Sequence, residues 1–370
     1  MSISVTTKTA IKLFVLCAML MGLPLLGVVL AGKPVDSFLE FPPRTRYVSH
    51  EPFSWTVFLG LALLVSAVVA PFAAHRPDRV MIRPERRFER ARRLLPWWGW
   101  VGVGVIVVSW IVAWGRFSWV AWFQAHTFAP LWLGYILTVN GLLFGRTGKS
   151  PLTHRTAAYL SLFPISAGFW WFFEYLNRFV QNWYYLGEPL DPWSYFWYAT
   201  LPFSTVLPAV LATRAWLRSV FQFDERFRSF MPVQVSRPRP LAVCVLVIAG
   251  IGLSCLGVRP NLLFPLLWIS PLLIIVSVKT LLGEPHVFSP ASKGDWGGIV
   301  TAALAALICG FFWEMWNFWS HARWVYSIPY VHRFQLFEMP LLGYAGYLPF
   351  GLECVAAAEL FLGRKTVEIF

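Results

Sequence analysis

Long apolar runs, separated by short polar or charged breaks, fill the chain. Ten of them approach the roughly 20 residues that a helix needs to cross a bilayer. Their limits are 10–31, 52–74, 97–115, 119–145, 158–185, 193–213, 240–258, 262–282, 297–320 and 339–362. The stretch 241–282 is broken only at Gly257, Arg259, Pro260 and Asn261, which reads as a tight hairpin between two spans. The run at 119–145 holds His126 and Pro130 and is expected to begin with a short interfacial helix. The pattern predicts an all-α, polytopic transmembrane helical bundle of about ten spans.

Composition agrees. Of 370 residues, 57% are hydrophobic and 13% charged, against about 25% charged in an average globular domain. A soluble enzyme is excluded for want of surface residues, and disorder by the wealth of aromatics. Net charge is +13. With the amino terminus placed in the cytoplasm, the ten-span threading puts 23 of the 31 Lys and Arg on the cytoplasmic side and 8 outside, as the positive-inside rule requires. The expected location is therefore a bacterial cytoplasmic (inner) membrane with both termini cytoplasmic, and the charge excess needs no nucleic acid. The first run exceeds the roughly 7–15 residues of a signal core; its cleavage would leave nine spans. After Pro84, the Arg-rich segment 85–95 is expected to lie on membrane lipids as an amphipathic helix, gaining about 1 kcal/mol per basic residue near anionic headgroups.

The chain carries an internal similarity. Trp171-Phe172-Phe173-Glu174-Tyr175-Leu176-Asn177 in the fifth run matches Phe311-Phe312-Trp313-Glu314-Met315-Trp316-Asn317 in the ninth. Each is followed by a Trp-x-Tyr element (Trp183 and Tyr185, Trp324 and Tyr326), then by a Leu-Pro-Phe triplet. Four spans separate the copies, so the expectation is a parallel internal repeat. Residues 1–96 would form two spans and a basic loop, 97–239 a first four-span unit and 240–370 a second.

The rare polar residues fall at matching offsets. Glu174, Asn177 and Gln181 stand at i, i+3 and i+7, as do Glu314, Asn317 and His321. On continuous helices each set makes a stripe about 10 Å long. By the threading, both stripes end at the outer surface. A carboxyl at membrane depth costs about 2.5–3.5 kcal/mol on insertion scales and usually faces a partner or a cavity. Glu174 and Glu314 are the candidate acid/base pair. Asn177, Gln181, Asn317, His321, Trp171, Trp313, Glu338 and His126 are candidate binding residues. A purely structural role, in which the carboxyls bond Asn, Arg or backbone groups and lock helices together, stays open. The five cysteines lie in apolar stretches without a CxxC pair, no two histidines face each other mid-membrane, and no GxSxG, HExxH or complete phosphate loop occurs. Neither a metal nor a cofactor is indicated.

At Phe311–Asn317, Trp324, Tyr326 and Phe337-Glu338-Met339-Pro340, the chain resembles uncharacterised bacterial multi-pass membrane proteins and, more faintly, the membrane-embedded lycopene cyclase domains. That resemblance implies acid-catalysed chemistry on an isoprenoid, although the paired glutamates of the cyclase element have no counterpart here. Three classes of function remain in view: an enzyme or binder for a hydrophobic small molecule drawn from the lipid, a transporter using the glutamates as proton or cation sites, and a structural membrane subunit.

Overall fold

The computed structural model describes residues 5–75, 94–187, 190–221 and 226–370. Most of the segment expected to form the basic interfacial helix, 85–95, lies outside them. The principal helices are α1 (Val5–Leu30), α2 (Trp55–Ala74), α3 (Trp97–Trp114), α4 (Phe128–Thr147), α5 (Leu162–Val180), α6 (Pro192–Phe203), α7 (Val206–Phe221), α8 (Pro238–Ser254), α9 (Ser270–Leu281), α10 (Gly297–Phe318), α11 (Tyr347–Leu362) and the short α12 (Arg364–Ile369). Strand β1 (Trp183–Leu186) follows α5, and β2 (Arg323–Tyr326) follows α10. A small hairpin of β3 (Gln335–Leu336) and β4 (Met339–Pro340) leads into α11. The expected short helix before the fourth span is present as Ala121–Gln124.

Among the described residues, seven helical stretches are long and apolar enough to cross a membrane, or eight if a bent pair counts as one span. The expected number was ten. The two shortfalls have physical causes. Helix α8 has 17 residues, about 26 Å at 1.5 Å per residue, against a hydrocarbon core of about 30 Å. Helix α5 carries Glu174, Asn177 and Arg178 and spends much of its surface on other helices rather than lipid. The bent pair, Pro260–Leu267 with Ser270–Leu281, turns by 53°, so the second limb of the expected hairpin is broken rather than straight.

Lipid offers helices no hydrophobic driving force toward one another, so close packing of small residues must hold them. Helices α3 and α4 do this at Gly102 and Gly134. A methyl group added to Gly102 would meet the Gly134 carbonyl oxygen at 2.8 Å, and one on Gly134 would meet the Gly102 carbonyl oxygen at 2.8 Å. Helix α7 is central, packing on α4, α5, α10 and α11 with Leu207, Val210 and Leu211 fully buried.

Broken helices free backbone groups that hydrocarbon cannot satisfy, and here neighbouring helices supply the partners. Where α6 gives way to α7, the Ser166 hydroxyl of α5 donates to the Phe203 carbonyl at 2.6 Å and accepts the Leu207 N–H at 3.0 Å. At the start of α9, Glu353 of α11 accepts the Leu272 N–H at 3.2 Å. Ion pairs fix the end of the bundle away from β1 and β2. Lys279 meets Glu359 at 2.9 Å with both side chains nearly buried, and Lys12 meets Glu284 at 2.7 Å.

Candidate functional site

The site forms where α5 and α10 stop. Helix α5 closes on Gln181, which adopts a left-handed conformation (φ 51°) and returns its N–H to the Asn177 carbonyl. Asn177 then guides the chain outward: its Oδ1 accepts the Asn182 N–H at 2.8 Å and its Nδ2 donates to the Trp183 carbonyl at 2.7 Å. Asn317 performs the same service for the other strand. Its Oδ1 accepts the Trp324 N–H and its Nδ2 donates to the Trp324 carbonyl, both at 2.8 Å. A primary amide, with a donor and an acceptor side by side, acts in each case as a substitute strand partner.

So aimed, the strands pair with each other. β1 and β2 run antiparallel, with Trp183 opposite Tyr326 and Tyr185 opposite Trp324. The Trp and Tyr that follow each glutamate in sequence thus face the Tyr and Trp of the other element.

Both glutamates lie against the face of this ribbon that carries Trp183, Tyr185 and Tyr326, fully buried. Glu174 Oε1 accepts from Trp170 Nε1 (3.0 Å), Trp183 Nε1 (3.1 Å) and the Tyr185 hydroxyl (2.5 Å). Glu314 Oε1 accepts from the hydroxyls of Tyr326 and Tyr347, each at 2.7 Å. The second oxygen, Oε2, has no partner in either residue, and Glu353 repeats that arrangement deeper in α11. Burial, followed by the adjacent carboxyl, holds the phenols of Tyr185 and Tyr326 well above their ordinary range. Both therefore stay protonated and serve as donors.

The same aromatic layer bounds a cavity of about 1240 Å³. Its wall is aromatic, with Trp170, Trp183, Trp268, Trp313, Trp324 and Tyr347 among its residues. Trp170 and Trp313, from α5 and α10, approach to 6.4 Å between ring centroids, and Trp183 stacks on Trp268 at 5.6 Å. One side is bounded by Leu64 and Val68 of α2 and by Trp197 and Leu201 of α6, all exposed. None of α2 is buried.

The expected stripes are cut short. Gln181 is the left-handed residue beyond α5, and His321 lies past the end of α10 at Phe318, so neither continues a helical face. His321 does line the cavity, as do Trp313 and His126; the His126 ring stacks on Tyr198 at 4.4 Å. Glu174 and Glu314 do not line it. Nor does Trp171, which stacks on Phe196 and bonds Thr200. Glu338 sits in the two-residue turn between β3 and β4, off the wall. Among the described residues, no three His, Cys, Asp or Glu side chains gather so as to hold a metal ion.

Among the wall residues that sequence reasoning left out of the site are Trp170, Tyr185, Tyr326 and Tyr347, together with Arg44, Asn182 and Arg323. The recurring Trp-x-Tyr elements were the available signal for two of them. Arg44 comes from a loop far away in sequence and had none. Comparison with protein-family models, with curated proteins and with solved structures yields no match for this chain.

Proposed function

We propose that the protein is a lipid-phase binder of the bacterial inner membrane, threaded ten times with the ribbon end outward, and that the aromatic cavity receives a hydrophobic amphiphile passing between α2 and α6. The observation that carries this reading is the cavity itself: about 1240 Å³, walled by indole rings and flanked by the exposed Leu64 and Leu201. A site for drug-sized molecules spans roughly 300–1,000 Å³, so a larger ligand is accommodated. Apolar side chains at the flank suit a molecule dissolved in lipid rather than water.

The matching Glu–Asn–Trp–Tyr contacts on α5–β1 and α10–β2 support a duplicated segment, with the two copies meeting in the ribbon. In this reading Glu174 and Glu314 act through the rings they collect. Each carboxyl draws Trp N–H or Tyr O–H groups inward and so fixes the orientation of the wall against the ligand. Any acid/base step on the bound molecule passes through Tyr185, Tyr326 or Tyr347, the phenols that join a carboxyl to the wall, rather than directly from a carboxyl.

Native mass spectrometry of the full chain released from mild detergent tests the reading. A co-purifying lipid is expected at about one per chain. Gly346→Leu, whose Cβ would stand 3.8 Å from Trp268 on the wall, is expected to lose it while keeping the wild-type unfolding temperature. A bare wild-type chain, or equal lipid retention by the filled variant, would overturn the proposal.

A further inference from the structure

The cavity is apolar along its flank and cationic at the ribbon end. Its charged and titratable wall residues include Arg44, Arg323, His126 and His321, while among the described residues no Asp or Glu lines it. Polar atoms without partners collect on the same wall. Asn182 is only 3% exposed, yet its Oδ1 has no hydrogen bond. Its backbone is already used, the N–H by Asn177 and the carbonyl by Ser327, so the side-chain amide is not needed to shape the turn. Thr45 Oγ1 and Arg44 Nε are likewise buried without partners. The Arg44 guanidinium is positioned on two other sides: Nη2 donates to the Leu190 carbonyl at 2.7 Å, and the plane lies 4.7 Å over the Tyr195 ring. Arg323 commits one nitrogen, Nη1, to the Phe318 carbonyl at 3.1 Å.

From these observations we infer that the cavity recognises an amphiphile with an anionic, phosphate-bearing headgroup, held on the wall that bears Arg44, Arg323 and Asn182 with its chain along the indole rings. The inference rests on the lipid-binding reading above and adds the headgroup to it. A guanidinium fixed on some of its donors presents the rest in a set direction, which is the condition for forked recognition of phosphate. The Thr45 hydroxyl supplies another donor, and the Asn182 amide can turn either of its ends toward the ligand. Among the described residues, a zwitterionic or cationic headgroup would find no carboxylate on the wall; Asp191, whose charge is felt at Arg44, is exposed and off it, and the two buried glutamates stand behind the aromatic layer, each already accepting two or three hydrogen bonds.

The test is competitive loading of delipidated full-length protein, read by native mass spectrometry. The probes are dioleoyl phosphatidic acid, geranylgeranyl monophosphate, dioleoyl phosphatidylcholine and dioleoylglycerol. Wild type is expected to prefer at least one of the two phosphate monoesters over dioleoylglycerol by about tenfold or more. Arg323→Gln and Asn182→Leu are each expected to reduce that preference about five- to tenfold with dioleoylglycerol binding unchanged. Arg44→Lys, which retains the charge and loses the fork, should fall between them and wild type. The better of the two monoesters identifies the chain type. Equal loading of dioleoylglycerol and both monoesters, or a preference untouched by Arg323→Gln and Asn182→Leu, overturns the headgroup assignment and leaves lipid binding standing. Loading by none of the four probes overturns both.

Discussion

Tyr326 donates its hydroxyl to Glu314 Oε1 at 2.7 Å, the same contact that Tyr185 makes with Glu174 in the other half of the ribbon. A buried carboxyl that gathers two or three aromatic donors is an anchor for those rings. The donors need an acceptor more than they need a charge.

Glutamine at position 314 therefore differs sharply from leucine. Glu314→Gln keeps a carbonyl oxygen for Tyr326 and Tyr347 and is expected to preserve both ligand retention and stability. Glu314→Leu leaves two buried hydroxyls without an acceptor, at roughly 1–3 kcal/mol for each one unpaired. Unfolding of the purified protein by SDS titration, with lipid retention read in parallel, measures both. Identical behaviour of the two variants would refute the anchoring role.

Two glycines of one helix separate packing from lipid exposure. A Cβ on Gly102 would collide with the backbone of α4, whereas one on Gly104, two residues along α3, meets nothing within 4 Å. Gly102→Ala should destabilise by about 1–3 kcal/mol, the range for overpacking a tight contact. Gly104→Ala should be neutral or slightly stabilising, since Ala replaces Gly inside a helix at a gain of roughly 0.5–1 kcal/mol. Thermal unfolding in one detergent distinguishes them.

His286 makes the loop after α9 sensitive to acid. Its Nδ1 accepts the Phe288 N–H at 3.3 Å, which requires an unprotonated nitrogen. Burial, then Lys279 and Arg364, lowers its pKa from the ordinary 6.5. With the folded pKa below the unfolded one, the unfolded chain binds the proton first. The stability contribution is complete above about pH 6.5 and declines as pH falls from there toward the lower folded pKa. Wild type should lose unfolding temperature between pH 7.5 and 5.5 by more than His286→Gln does; parallel curves would rule the switch out.

The placement of most helices was legible in the residues because transfer of apolar side chains into lipid adds up locally, residue by residue. The same local character made Glu174 with Asn177, and Glu314 with Asn317, visible as pairs one helical turn apart. Where each helix stops was not visible. Gln181 and His321 fit the helical spacing, yet the asparagines capture the following backbone and turn the chain into strands, a competition settled by bonds to residues five to seven positions on. Two of the ten expected spans stand apart from the rest: α8 has only 17 residues, and α5 carries polar residues that are tolerated because other helices cover them. The arrangement of the site depended on contacts at still greater separation. Trp183 meets Tyr326 across some 140 residues, and Arg44 reaches Leu190 and Tyr195 across a similar distance. Such contacts follow from how the helices pack and from which backbone groups each break leaves to be satisfied, and no local pattern of residues encodes them. That is why the glutamates were expected on the surface of a pocket, while the fold sets them one hydrogen bond behind it.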